Sequence, residues 1–257
     1  MAVIHAYGPS ATVRWATQGF NVFFKRFIPF TLLFITIFML NLLSASIPFI
    51  SLIVGIICLP LLQMVIFNAA YGVKLRGYFT QQDLLQKLRE KSIWSKLILA
   101  SLINIILTNI ILIITLPPLP VPIETLMNIS NEEIVVLMAS YITFSNFLPV
   151  ILGVCIYFLL TSWVYPLITW ENLTVLEAFK QSLKATASNA IALSFLIIFY
   201  FALISISIIL ITQFFPSLSR IGILFVLIEV SAISAYFYNC LFAAYMEIFY
   251  GKQTINT

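Results

Sequence analysis

Two carboxylates, Glu229 and Glu247, break the last apolar run of this 257-residue chain, and they have the strongest claim to chemistry in it. Glu229 lies nine residues beyond Arg220, about 13 Å along a helix, which sets a carboxyl group deep in a segment of Ile, Leu and Phe. An ionised carboxylate is costly there, so the group must be protonated, hydrogen-bonded or exposed to a wet cavity. Arg220 is a poor partner, since nine residues make about 2.5 turns and point it to the opposite face. Glu247 follows by eighteen residues, about five turns, and shares the face of Glu229 with Gly222, Tyr236, Cys240 and Ala243. A stripe of small and polar residues belongs inside a helix bundle. One reading makes Glu229, with Tyr236, a site for a proton, an ion or a polar substrate on a transport path. The other ties a protonated Glu229 to Asn104, Asn109, Ser205, Ser207 or Gln213 on neighbouring helices.

A second group is basic. Lys74, Arg76, Lys87, Arg89, Lys91 and Lys96 crowd one segment, and each basic group beside an anionic leaflet adds about 1 kcal/mol of attraction. The cluster fits anionic headgroups or a cytoplasmic partner, but topology and leaflet anchoring account for it more simply. Catalytic machinery is not legible. His5 is the only histidine, and no HExxH, GxSxG, Walker loop or GxGxxG occurs. Asp83, Glu90, Glu171 and Glu177 fall on surface helices or their approaches. Cys58, Cys155 and Cys240 sit far apart in apolar runs with no CxxC, which describes buried thiols rather than a disulfide or zinc site. The expectation is a nonenzymatic protein with no catalytic residues, no metal and no cofactor.

The elements that carry these groups are set by charge and hydropathy. With 62% hydrophobic and 9% charged residues and a mean hydropathy of +1.09, the chain reads as one integral membrane domain. No charge occurs between Arg26 and Lys74, Lys96 and Glu124, Glu133 and Glu171, or Lys184 and Arg220. A crossing needs about 20 residues. The pattern predicts an interfacial helix at 12–26 and six transmembrane helices at 27–46, 49–72, 97–116, 146–169, 189–215 and 221–250. Ser44, Ser46 and Pro48 mark the first turn, and Pro117, Pro118, Pro120 and Pro122 stop the third crossing. Pro60, Pro149 and Pro166 are expected to interrupt the second and fourth. The stretch 132–145 reads as an outer amphipathic helix or as an early start to the fourth crossing.

Twelve of the thirteen Lys and Arg residues then fall on one side, in the loops 74–96 and 170–188 and at the ends of the chain. Only Arg220 falls on the other, with Glu124, Glu132 and Glu133. The positive-inside rule predicts cytoplasmic termini. Trp15, Trp94, Trp163 and Trp170 map to the same interface, as headgroup anchors would. The net charge of +4 follows from this topology and does not imply nucleic acid. Met1 to Ser10 lacks the apolar stretch of a cleavable signal peptide.

The chain also reads as parallel repeats. Thr12 to Phe27 and Thr174 to Asn189 share an opening Thr-Val, an Ala four residues after the Thr, and their apolar spacing. AAYGVKLRG (Ala69 to Gly77) and AAYMEIFYG (Ala243 to Gly251) share Ala-Ala-Tyr and a final Gly at equal offset. QQDLLQKLREK (Gln81 to Lys91) would lead a more diverged third copy, and Thr12, Thr80 and Thr174 would cap the leading helices. In the first of these, Val13, Ala16, Phe20, Phe23 and Phe27 form an apolar stripe opposite Arg14, Gln18, Asn21 and Lys25, as in a helix lying on the cytoplasmic leaflet.

Gly19-Phe20 in the first leading helix, FKQSLKATASNA after the fourth crossing and the aromatic AAYMEIFYG resemble a family of small bacterial inner-membrane proteins of unknown function. More distantly they resemble the membrane domain attached to some glycerophosphodiester phosphodiesterases. The resemblance implies six helices in a bacterial cytoplasmic membrane and brings no catalytic residues with it. The expected fold is an all-α polytopic bundle with cytoplasmic-interface amphipathic helices. Its expected partners are membrane lipids with anionic headgroups, together with a membrane protein or a second copy of the chain.

Overall fold

The computed structural model describes residues 4–45, 48–117, 144–214 and 220–251. Every regular element among them is helical. They are α1 (Ser10–Lys25), α2 (Phe27–Ala45), α3 (Pro48–Arg76), the single turn α4 (Gln81–Leu84), α5 (Lys91–Thr115), α6 (Phe144–Thr161), α7 (Val164–Trp170), α8 (Val175–Ser188), α9 (Ala190–Phe214) and α10 (Arg220–Tyr250). Four of these carry stretches long and apolar enough to cross a membrane: Ile56–Arg76, Lys91–Thr115, Ala190–Ile211 and Leu224–Tyr250. The pair α1–α2, bent by 93° at Arg26, raises the number to five if it is taken as one span. Glu124, Glu132, Glu133, Lys252, the stretch 132–143 and the first turn at 46–47 lie outside the described residues.

The expected fourth crossing, 146–169, is two helices, α6 and α7. Pro166 explains the break. It has no N–H to offer the carbonyl four residues back, that of Ser162. Gln63 Nε2 from α3 takes that carbonyl instead, at 2.6 Å, and the Trp163 N–H goes to Ser182 Oγ of α8 at 3.1 Å. Pro60 and Pro149, by contrast, sit inside continuous helices and interrupt neither.

The core lies at the basic end of the bundle. From Asn239 to Phe249 every residue of α10 is buried, so this end of the helix is a mast enclosed on all sides. α1, α2, α3 and α9 pack against α10, while α5 and α7 pack on α3, and α8 closes over α6 and α7. The opposite ends of α5 and α9 are bare: Ile113 and Ile114 of α5 are 80% and 76% exposed, and Ile206, Ile209 and Leu210 of α9 are exposed too. Such residues need an apolar solvent, and a bilayer supplies it.

α1 docks on α10 along one face. Ala11, Trp15, Gly19 and Phe23, one residue per turn, form a seam pressed on α10. Val13, Phe20 and Phe27 of the anticipated stripe are exposed, whereas Phe23 belongs to the seam. Thr12 does not cap the helix: Pro9 holds that position, and Thr12 Oγ1 donates to the Ala192 carbonyl at 2.7 Å. The four tryptophans do cluster at the basic end, but not as headgroup anchors. Trp15 and Trp163 are fully buried, and the indole N–H groups of Trp15, Trp94 and Trp170 bond to protein acceptors.

The connections at this end follow one design. Gly77 and Gly251 both take φ +79° and bond back to the carbonyl four residues earlier, Val73 at 2.8 Å and Glu247 at 3.0 Å. Each thus ends its helix in the left-handed conformation that glycine tolerates best. After Gly77, Thr80 and Asp83 form a capping box; after Asn172, at φ 53°, Thr174 and Glu177 form another. The helix expected over 81–91 stops after one turn, because Lys87 also turns left-handed at φ 58°.

Hydrogen bonding to the charged form holds the Asp83 carboxyl below its usual range, with Arg76 the main cause, and holds that of Glu177 down chiefly through the Thr174 hydroxyl. A depressed folded pKa stabilises above the ordinary carboxylate value of about 4 and is lost as pH falls through the folded value. Protection of the amides at the starts of α4 and α8, taken relative to their intrinsic exchange rate at each pH, is therefore expected to fall on acidification from about pH 5 to pH 3. Protection that stays constant over that window would show that the boxes do not hold these turns.

Candidate functional site

The polar stripe expected along α10 divides into three separate environments. Glu247 is fully buried and is the acceptor at the centre of the α1–α10 seam. Arg14 Nη2 donates to its Oε1 at 2.6 Å and Trp15 Nε1 to its Oε2 at 2.8 Å. The half-buried Arg14 guanidinium also sits 5.7 Å over the ring of Tyr7. The Tyr7 hydroxyl donates to the Glu247 carbonyl at 3.2 Å, and burial raises its pKa above the usual phenol value. Asn189 completes the arrangement. Its side-chain amide accepts from the Tyr7 N–H at 2.9 Å and donates to the His5 carbonyl at 3.0 Å, while the His5 N–H reaches the Ile248 carbonyl at 2.9 Å. The segment before α1 is thereby fastened across the end of α10.

Tyr236 lies further along the mast, with its hydroxyl donating to the Ala16 carbonyl at 3.1 Å. It floors an apolar cleft of about 700 Å³ between α1 and α9, walled by Val13, Thr17, Phe20, Phe195 and Phe199. Glu229 is remote from both. It is half-buried and bonds to no described residue. None of the partners expected for it meets it: Asn104 donates to the Tyr165 hydroxyl at 2.6 Å, Asn109 bonds within its own helix, Ser205 and Gln213 are exposed, and the buried Ser207 hydroxyl bonds to no described residue. The Arg220 side chain lies outside what is described.

The six basic residues also separate by role. Arg76 pairs with Asp83 at 2.6 Å, and Lys96 holds Asn172 through its carbonyl at 3.1 Å and its Oδ1 at 2.7 Å. These two brace the connections. Arg89 and Lys91 are exposed and engage no described residue. Lys74 and Lys87 line one cleft of about 350 Å³, together with Tyr71, Gln86, Trp170 and Tyr250. Asn68, 1% exposed, fixes that cleft from below. Its Nδ2 donates to the carbonyls of Leu84 and Gln86, and its Oδ1 accepts from Trp170 Nε1. The Tyr250 hydroxyl bonds to Glu171.

Sequence reasoning missed Asn68, Asn189 and the Arg14–Glu247 pair. Only one signal pointed to any of them: Glu247 stands at the offset where the matching segment has apolar Val73. Among the described residues, no three His, Cys, Asp or Glu side chains come together as metal ligands would. Compared with protein families, curated proteins and solved structures, the chain matches none of them.

Proposed function

We propose that this is a nonenzymatic, multi-pass protein of a bacterial cytoplasmic membrane that binds anionic lipid at its basic end and supports membrane organisation there. α5 carries the reading. This helix has an exposed Lys91 and a half-buried Lys96 at its foot, and a shaft whose outward face is Ile98, Leu99, Leu102, Ile106, Ile113 and Ile114. A helix of that form sets its foot among headgroups and its shaft among acyl chains. Six crossings, cytoplasmic termini and three parallel copies extend the same reading. They are supported by the one-sided placement of Lys and Arg and by the equivalent glycine terminators. The bacterial setting rests on the sequence resemblance.

Gentle extraction from membranes of mixed composition, followed by native mass spectrometry, tests this. Retained lipid is expected to be enriched in anionic species over the bulk. Retained lipid that mirrors the bulk sinks the proposal, and a stoichiometric protein partner would move it toward an accessory subunit. One observation favours a transporter as the second reading: Glu229, deep in α10, bonds to no described residue. Proton-linked flux in liposomes that Glu229→Gln abolishes would establish it.

A further inference from the structure

We infer that the cleft containing Lys74 and Lys87 is a specific phosphate-ester site, which takes one anionic headgroup or a soluble phosphate of the same chemistry. This rests on the lipid-binding reading and narrows it from a basic surface to one place. Two ammonium groups line a single cleft, Lys74 from the last turn of α3 and Lys87 from the loop beyond. Like charges gathered in one cleft disfavour each other unless an anion lies between them. Lys87 is aimed there by a costly backbone, since a left-handed φ of 58° is uncommon for a residue with a side chain. Its Nζ is steadied by the Trp170 carbonyl at 2.8 Å, which uses one of its three donors and leaves two.

The Tyr250 hydroxyl, from the lining, bonds to Glu171. The wall is aromatic, with Tyr71 and Trp170 ring centroids 6.0 Å apart. The cleft's volume of about 350 Å³ falls within the ordinary range for small-ligand pockets, about 300–1,000 Å³. It opens where α3, α7 and α10 all end, at the basic face of the bundle.

The test uses the full chain in detergent with equal amounts of phosphatidylglycerol and phosphatidylcholine, read by native mass spectrometry. Lys74→Gln/Lys87→Gln is set against Lys180→Gln/Lys184→Gln, which removes the same charge from exposed positions of α8, outside the cleft. Phosphatidylglycerol retention is expected to weaken about tenfold in the first and by less than about twofold in the second. Equal losses in the two variants overturn the cleft while leaving the lipid-binding reading intact. Absence of any preference in the wild type overturns both. Glycerol phosphate at millimolar concentration that displaces the lipid identifies a soluble ligand, whereas failure to displace it identifies the headgroup.

A second measurement needs no variant. A phosphatidylglycerol with a photoreactive headgroup should label peptides holding Tyr71 to Leu75 and Gln86 to Lys87 in the wild-type protein. Labelling confined to other segments overturns the assignment.

Discussion

Arg14→Met is expected to lower the unfolding free energy by about 3–5 kcal/mol, the cost of stripping a buried carboxylate of its charged partner. The asymmetry of the pair makes this the more damaging half to remove. The Glu247 side chain is 1% exposed, whereas that of Arg14 is 36% exposed. Without Arg14, the carboxylate keeps only Trp15 Nε1. Without Glu247, Arg14 can turn toward water, and the main loss is a buried indole N–H with no acceptor, about 1–3 kcal/mol. Glu247→Leu should therefore be milder than Arg14→Met. The double variant should recover much of the loss, because an apolar pair of similar volume carries no stranded charge. Unfolding curves in one detergent measure all three. A double variant as unstable as Arg14→Met would show that the charge is not what matters at this seam.

The next largest effect is expected at Gly19. A Cβ there would stand 2.6 Å from the Cys240 backbone nitrogen, 2.6 Å from its Sγ and 2.7 Å from its Cα. Two of these three atoms are main chain, so no rotamer change relieves the clash and the helices must part. Overpacking of this kind costs about 1–3 kcal/mol, and Gly19→Leu should exceed Gly19→Ala. Cys240→Ala should fail to rescue Gly19→Ala, since it removes only the sulfur. Maleimide labelling reads the same event in a chain whose other cysteines, Cys58 and Cys155, are replaced. Cys240 is 1% exposed and should become reactive in Gly19→Leu. Full rescue by Cys240→Ala would contradict the geometry described.

The helices were legible because hydropathy and proline act locally. The uncharged run after Lys184 and the last apolar run hold α9 (Ala190–Phe214) and α10 (Arg220–Tyr250), with the candidate spans Ala190–Ile211 and Leu224–Tyr250 inside them. The break near 162 was not legible, because Pro166 alone does not say whether a helix bends or ends. Here a third helix supplied Gln63 to take the freed carbonyl. The site was hidden for the same reason. Arg14 and Glu247 are 233 residues apart, and nothing local distinguishes an arginine on a wet face from one turned to a buried acid. Lys74 and Lys87 were named as basic residues, but their meeting in one cleft depends on a left-handed residue within a run that otherwise reads as helix.

The seam between α1 and α10 also sets an order of events during synthesis. At about 5–20 residues per second, the 233 residues separating Arg14 from Glu247 take roughly ten to fifty seconds to appear. Throughout that interval the earlier helix has no mast to dock on, and its arginine has no acid to meet. Its Val13, Phe20 and Phe24, exposed even in the finished protein, give it a hold on the lipid surface while it waits. Insertion of α10 and capture of α1 then become a single late step, so ribosome stalling before Glu247 leaves a nascent protein that is inserted but not yet closed.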